Sequence, residues 1–507
     1  MFNKQLLAIL IPLTLSGCGG GSDDGGSSQP KPKPKYTFDF AQFYTEASAG
    51  NCSVFGKRMA GGEELSVLAN TDVSLSLDRD KLLIQYADGV VKEEVPLDGS
   101  RQQINQTDVP KGGYVTFYIE LLDKYFATSI QRKYLKSNGI NWLGYEKVDA
   151  PNNPRCVTGK NAPDANPYTG IDIKTADPSD IKGVVTSDKR KLTENGSKDI
   201  DIQSRFSHAL AVAYQYGNGE NDSNLTPDED GYVSDADLDT PREITEYKFF
   251  DLANNTEVEL DPLSEMGNWT APANTYDLTS AALYVDYQQT PYIWQNLPHS
   301  ASEIIDYRYD ADNDNLSYYL TAEGTVKASS SPSDEWQLSA ARQVSALDLA
   351  EDLNNDTLDS DNAISVPEKR TSVEINNDVL TAYGNGAGVQ SGIQRIAYQA
   401  TGGSTTVTHV IYAEADAEQT IPMFDDNNVN VVINNAGTLS NYDISVMYTE
   451  NEQALAALMA EHTNPSITDN SDLSVDPLPV LLTTYEREQL ARKKKIIDHY
   501  QISTSNP

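Results

Sequence analysis

Carboxylates that alternate along the chain are the side chains best spaced for chemistry. Asp310, Asp312 and Asp314 occupy every second position of Asp-Ala-Asp-Asn-Asp-Asn. Alternate residues of a tight loop can turn their oxygens toward one centre, and Ca²⁺ accepts several oxygen ligands in flexible geometry. Asp352, Asn354 and Asp356 repeat the spacing, and Asp228, Asp230, Asp235 and Asp237 surround Gly231 in a third acidic segment. Counted from Asp310, the glycine and glutamate of a helix–loop–helix calcium loop are replaced by Asn315 and Thr321. A structural Ca²⁺ stiffening the connections between β-domains is the cofactor this pattern suits, and no other cofactor is implied. The competing expectation is an ordinary acidic turn, where Asp and Asn are common.

Signatures of catalysis are thin. Histidines stand at 208, 299, 409, 462 and 499, none at the spacing of a helical zinc protease. Ser179 with Lys182, and Ser360-Asp361-Asn362, match two fragments of the penicillin-binding set, but its Lys-Thr-Gly element is absent. Glycoside hydrolysis needs two carboxylates facing one sugar at a set separation, a relation that linear spacing does not specify. Tyr284, Tyr287, Tyr292 and Trp294 lie close enough to form a sugar-stacking surface. Their alternation favours core packing instead. The chain holds 75 acidic and 38 basic residues, net −37. That balance excludes the basic footprint of a nucleic-acid-binding protein and favours solubility and attraction of cations.

The three cysteines divide by position. Residues 1–4 carry one positive charge, and residues 5–15 are dominated by Leu, Ile and Ala. That run is too short for a permanent membrane span and suits a cleavable export signal. It closes on Leu15, Ser16, Gly17 and Cys18. Leu-Ser-Gly-Cys resembles the lipobox of Gram-negative bacterial lipoproteins. The resemblance implies a diacylglyceryl thioether on Cys18, cleavage before it, and acylation of the new amine, as by palmitate. Two or more acyl chains anchor a protein stably. Such lipoproteins retained at the inner membrane usually have Asp after the cysteine; here Gly19 and Gly20 follow, so the resemblance implies the outer membrane, its lipid being the partner of Cys18. With Cys18 lipidated, Cys52 and Cys156 are an even remainder, which in an oxidising compartment reads as one disulfide.

The elements that position these residues are mainly strands. Residues 18–35 form a tether: 19–28 are Gly/Ser-rich and flexible, and 29–35 alternate Pro and Lys, favouring an extended spacer. Residues 36–162 alternate apolar and polar side chains between turn signals and are expected to form a β domain closed by the disulfide. Residues 163–300 continue in that style, and 301–448 add a β domain with acidic loops. A hairpin is expected from 393–400 and 405–412 around Thr401-Gly402-Gly403-Ser404. Residues 449–507 read as a helical C-terminal region, with Thr449 and Glu452 at capping-box spacing and a second helix over 485–500. The expected fold is mainly β and multi-domain, built of immunoglobulin-like sandwich modules. The expected function is a non-enzymatic, lipid-anchored envelope or surface lipoprotein that is structural or binds a protein or glycan partner. The alternatives are a surface carbohydrate-binding or hydrolytic lipoprotein, and a component of a flagellar membrane sheath.

Overall fold

The computed structural model describes residues 33–73, 75, 79–146, 154–167, 170–177, 180–193, 199–216, 232–233, 242–263, 265–271, 276–300, 302–328, 331–344, 357–359, 362–363, 366–370, 372–384, 392–449, 451–462 and 478–506. They form a mainly β protein of several sheets. Among them three α-helices occur, at Asn427–Asn435, Glu452–His462 and Thr484–Lys494.

Local turn chemistry builds the hairpins. Paired positive φ values at Leu122 and Asp123, Gln288 and Gln289, and Asn377 and Asp378 mark two-residue turns whose twist matches that of the strands they join. The expected hairpin is present and tighter than predicted. Strands Gly392–Gly402 and Thr405–Glu414 pair as far as Gly402 opposite Thr405, leaving two residues to turn. Gly324 lies at φ +152°, where a Cβ would sit 2.3 Å from the Asp277 carbonyl oxygen. Its partner strand bulges at that point, between Leu278 and Ser280.

A twelve-stranded sheet organises the molecule. Its order is Thr290–Leu297, Tyr276–Tyr287, Ser317–Ala328, Ser331–Val344, His499–Asn506, Tyr442–Tyr448, Gly392–Gly402, Thr405–Glu414, Lys124–Gln131, Tyr114–Leu121, Asp80–Gln85 and Val91–Val95. Neighbours run antiparallel except Thr405–Glu414 beside Lys124–Gln131, which are parallel. This sheet takes strands from each of the segments 36–162, 163–300, 301–448 and 449–507, so those boundaries do not divide it. The tail is helical only in part. The helix expected over 485–500 stops at Lys494, and His499–Asn506 is a strand. Its residues are buried without a break from His499 to Ile502 and again at Thr504, as befits an interior strand covered on both faces, on an otherwise polar sequence.

Both faces of the sheet are covered. Leu82 and Ile84 point into one core, where Phe38, Phe40, Leu143 and Tyr145 face them from the sheet around Lys35–Glu46. Leu83 between them joins the opposite core, shared with Val429 and Ile433 of the helix Asn427–Asn435 and with Ile375 and Leu380. Further along, Leu283 and Val285 enter that same core with Leu210, Val212, Trp269 and Ile305, contributed by other sheets. Helix Glu452–His462 packs through Ala454 and Leu458 on Ile393 and Met447. Strands buried on two faces explain the near-continuous apolar run of residues 82–84.

The C-terminal strand sits inside the sheet, so it is expected to control stability out of proportion to its length. Ile502 is fully buried and Ser505 is exposed. Ile502→Ala should cost about 2–5 kcal/mol in chemical denaturation, while Ser505→Ala should leave the midpoint where it was. A loss below about 1 kcal/mol for Ile502→Ala would contradict the central placement.

Candidate functional site

Cys52 and Cys156 are bonded to each other across 104 residues, with Cα atoms 5.7 Å apart. Backbone pairing extends the junction: Cys52 bridges Thr158, Asn70 bridges Cys156, and Ser53 N donates to Val157 O at 2.8 Å. Asn161 ties the two cysteine segments from its side chain, accepting from Val54 N at 2.9 Å and donating to Cys52 O at 3.1 Å.

The C-terminal helix begins on this platform. Thr483 and Glu486 form a capping box, with Glu486 N donating to Thr483 Oγ1 at 3.1 Å and Thr483 N to Glu486 Oε2 at 2.9 Å. Thr483 Oγ1 donates to Lys160 O at 3.1 Å, Thr484 N to Val54 O at 2.9 Å, and Arg487 to Phe55 O. Lys160 Nζ meets Glu486 Oε1 at 3.1 Å. Leu481 packs with Phe43 and Phe55 beneath. Both cysteine-bearing segments therefore hold the entry of the last helix. Cysteine parity predicted the bond. The contact with residues 481–487 had no linear signal beyond the Thr-x-x-Glu spacing at Thr483.

Three serine–imidazole pairs have the reach of a nucleophile and its base: Ser207 Oγ, 2.8 Å from Nδ1 of the adjacent His208, is exposed, and the other two are enclosed. Ser129 Oγ lies 2.7 Å from His409 Nε2, and Tyr398 Oη 3.0 Å from Nδ1. Thr116 Oγ1 is 2.6 Å from Ser129 Oγ and accepts from Gln85 Nε2 at 2.8 Å. Thr116, Ser129 and His409 are all 0 % exposed, which leaves a substrate no approach. Burial pushes the His409 pKa down to about 3, so the ring is neutral. In the second pair Ser445 Oγ lies 3.1 Å from His462 Nε2, and Nδ1 is 3.9 Å from Asp443 Oδ2. That last separation exceeds hydrogen-bond length. Asp443 instead meets Arg395 at 3.2 Å, and Ser445 is fully buried. Both groupings can order the sheet, and neither offers its hydroxyl to solvent. Their members lie far apart in the chain, so no spacing pattern announces them.

The Asp310 segment is hydrogen-bonded largely within its own turn. The Tyr247 hydroxyl donates to Asp310 Oδ2, Asp312 N donates to Asp310 Oδ1 at 3.0 Å, and Asn315 N donates to Asn313 Oδ1 at 3.2 Å. Asp310 thus serves a tyrosine and the turn itself, while Asp312 and Asp314 are exposed. The three carboxylates do not converge, because side chains of this type close turns on their own backbone. Among the described residues no three His, Cys, Asp or Glu side chains are grouped to hold a metal ion. Asp352, Asn354, Asp356, Asp228, Asp230, Asp235, Asp237 and Cys18 lie outside the described residues. Of the four clustered aromatics, Tyr292 and Trp294 are core residues, at 1 % and 0 % exposure. Tyr284 and Tyr287 are half-buried, with Tyr287 stacked on Phe249 at 4.0 Å.

Compared with protein-family models and with curated proteins, the chain matches none.

Two measurements test these assignments. Cys52→Ser with Cys156→Ser should lower stability by about 4–5 kcal/mol, as chain entropy predicts for a loop near 100 residues. Amide exchange should quicken over residues 483–494 before it quickens over 114–131; uniform quickening would mean the helix is not held by this platform. His409 gives a pH signature. Between about 6.5, where an unperturbed imidazole titrates, and about 3, the unfolded chain takes up a proton that the folded chain refuses. Stability attributable to this ring therefore falls as pH falls through that window. His409→Gln should flatten the stability–pH slope by about 1.4 kcal/mol per pH unit, read by urea denaturation from pH 6.5 to 4; an unchanged slope would refute the buried neutral ring.

Proposed function

We propose that this chain is a lipid-anchored, non-enzymatic lipoprotein of the bacterial outer membrane, with a structural or partner-binding role in the envelope. The observation that carries the reading is Leu15-Ser16-Gly17-Cys18 at the end of a short apolar run. Acylation of Cys18 anchors the protein without a span, and no helix of the described residues is long and apolar enough to cross a membrane. The Cys52–Cys156 disulfide supports an oxidising compartment.

The fold supports a scaffold role over a hydrolytic one. A twelve-stranded sheet measured at 4.7–4.9 Å per strand extends on the order of 50 Å, with cores on both faces to stiffen it. The net charge of −37 keeps such a body soluble beside a membrane. Its Ser129–His409 and Ser445–His462 pairs have fully buried hydroxyls, which leaves a substrate no approach to them. Two of the four clustered aromatics are core, which weakens a sugar-stacking surface there.

Mass spectrometry of the mature N-terminus should find residues 1–17 absent and Cys18 carrying acyl chains. Cys18→Ala should move the protein from the outer-membrane fraction to the soluble fraction. An intact Met1, or an unmodified Cys18 on membrane-bound protein, would refute the anchor.

A further inference from the structure

We propose that the groove between helix Glu452–His462 and the loop 132–138 binds a single-chain amphipathic anion of the fatty-acid class. This inference is independent of the lipid anchor.

The groove encloses about 620 Å³, within the range of small-molecule sites. One wall is the stretch that follows strand Lys124–Gln131. It is pre-formed: Lys136 N donates to Asn141 Oδ1 at 2.9 Å, and Asn141 Nδ2 donates to Lys136 O and Thr37 O, both at 3.3 Å. The facing wall is the helix, through Leu455, Ala456 and Met459. Tyr134 Oη donates to Gly392 O at 3.2 Å, joining the loop to the neighbouring strand. Leu135, Ile393 and Val480 add apolar surface. An acyl chain suits walls of this kind, because binding there removes its methylenes from water.

Charge selects the head group. The chain carries 75 acidic and 38 basic residues, yet the described residues lining this groove include two lysines and no carboxylate. Lys133 is met by Glu414 at 2.8 Å. Lys136 is exposed, and its ammonium has no ion-pair partner among the described residues. Ser137, Asn138 and Asn141 stand beside it with further polar groups. A lysine is a compact point charge with three donors. In a chain of net charge −37, it favours an anion locally where the protein as a whole repels one. A groove with apolar side chains on both walls, neutral donors, and a lysine that has no ion-pair partner among the described residues fits a carboxylate on a hydrocarbon chain. A cationic amphiphile would forfeit the electrostatic contribution, and an uncharged one would gain nothing from it.

The test uses the full chain with Cys18→Ser, which cannot be lipid-modified, in detergent-free buffer. Isothermal titration compares laurate, dodecanol and dodecyltrimethylammonium. Laurate should bind saturably at one per chain, and the other two about fivefold more weakly or worse. Lys136→Met should weaken laurate about fivefold, and Ala456→Glu, which adds a carboxylate to the helix wall, about tenfold. Both positions reach solvent, so the melting temperatures of these variants should match that of the Cys18→Ser chain. No saturable laurate binding, equal affinity for the three head groups, or full laurate affinity in both variants at unchanged melting temperature would each overturn the proposal.

Discussion

The long sheet depends on one strand. His499–Asn506 pairs on one side with Ser331–Val344 and on the other with Tyr442–Tyr448. It joins four strands drawn from residues 276–344 to seven others. Without it, two interior edges would present unpaired amides and carbonyls, which are costly when buried and a template for aggregation when exposed. The two parts of the sheet are therefore joined only once His499–Asn506 has paired on both sides. The preceding residues deliver it: the disulfide platform holds the start of helix Thr484–Lys494, and charged residues hold its end. Lys494 meets Glu461 and Gln501, Lys495 meets Glu323 at 2.8 Å, and Arg342 meets Asp498 at 3.2 Å. A bond between Cys52 and Cys156 therefore bears on pairing three hundred residues later.

Register at the parallel junction has its own lock. Lys124–Gln131 and Thr405–Glu414 run side by side with Ala127 opposite His409. The chain of polar contacts from Gln85 through Thr116 and Ser129 to His409 and Tyr398 spans five strands. A one-residue slip would turn every side chain to the opposite face and leave these groups unpaired in a dry interior. A second run, from Tyr383 through Gln394 and Gln419 to Tyr114, links the same sheet to one of its covers. Buried networks of this kind are costly when broken, so they specify one alignment more sharply than apolar packing does.

The outer edges of the sheet are protected by different means. Val91–Val95 carries exposed Lys92, Glu93 and Glu94, and charge on an edge discourages a second strand from adding there. Thr290–Leu297 has Pro291 near its start, which removes a donor from the ladder.

Much was legible in the sequence because it is set by local chemistry. Period-2 alternation marked a mainly β chain and placed Tyr292 and Trp294 inside. The Gly-Gly pair at 402–403 marked a hairpin, and counting cysteines paired Cys52 with Cys156. The helix Glu452–His462 was also readable, although Asn451, not Thr449, accepts from its first turn, at Gln453 N. Three things were decided only by the tertiary structure: that segments read as successive domains share one sheet, that the last residues form a central strand, and that Asp310 bonds Tyr247 rather than converging with Asp312 and Asp314. The physical reason is the same in each case. Alternation says which side of a strand is buried but not which strand lies beside it, since backbone pairing is indifferent to side-chain identity. Neighbours hundreds of residues apart are chosen by the whole set of cores being filled at once, and a carboxylate's partner is whatever that packing brings within reach.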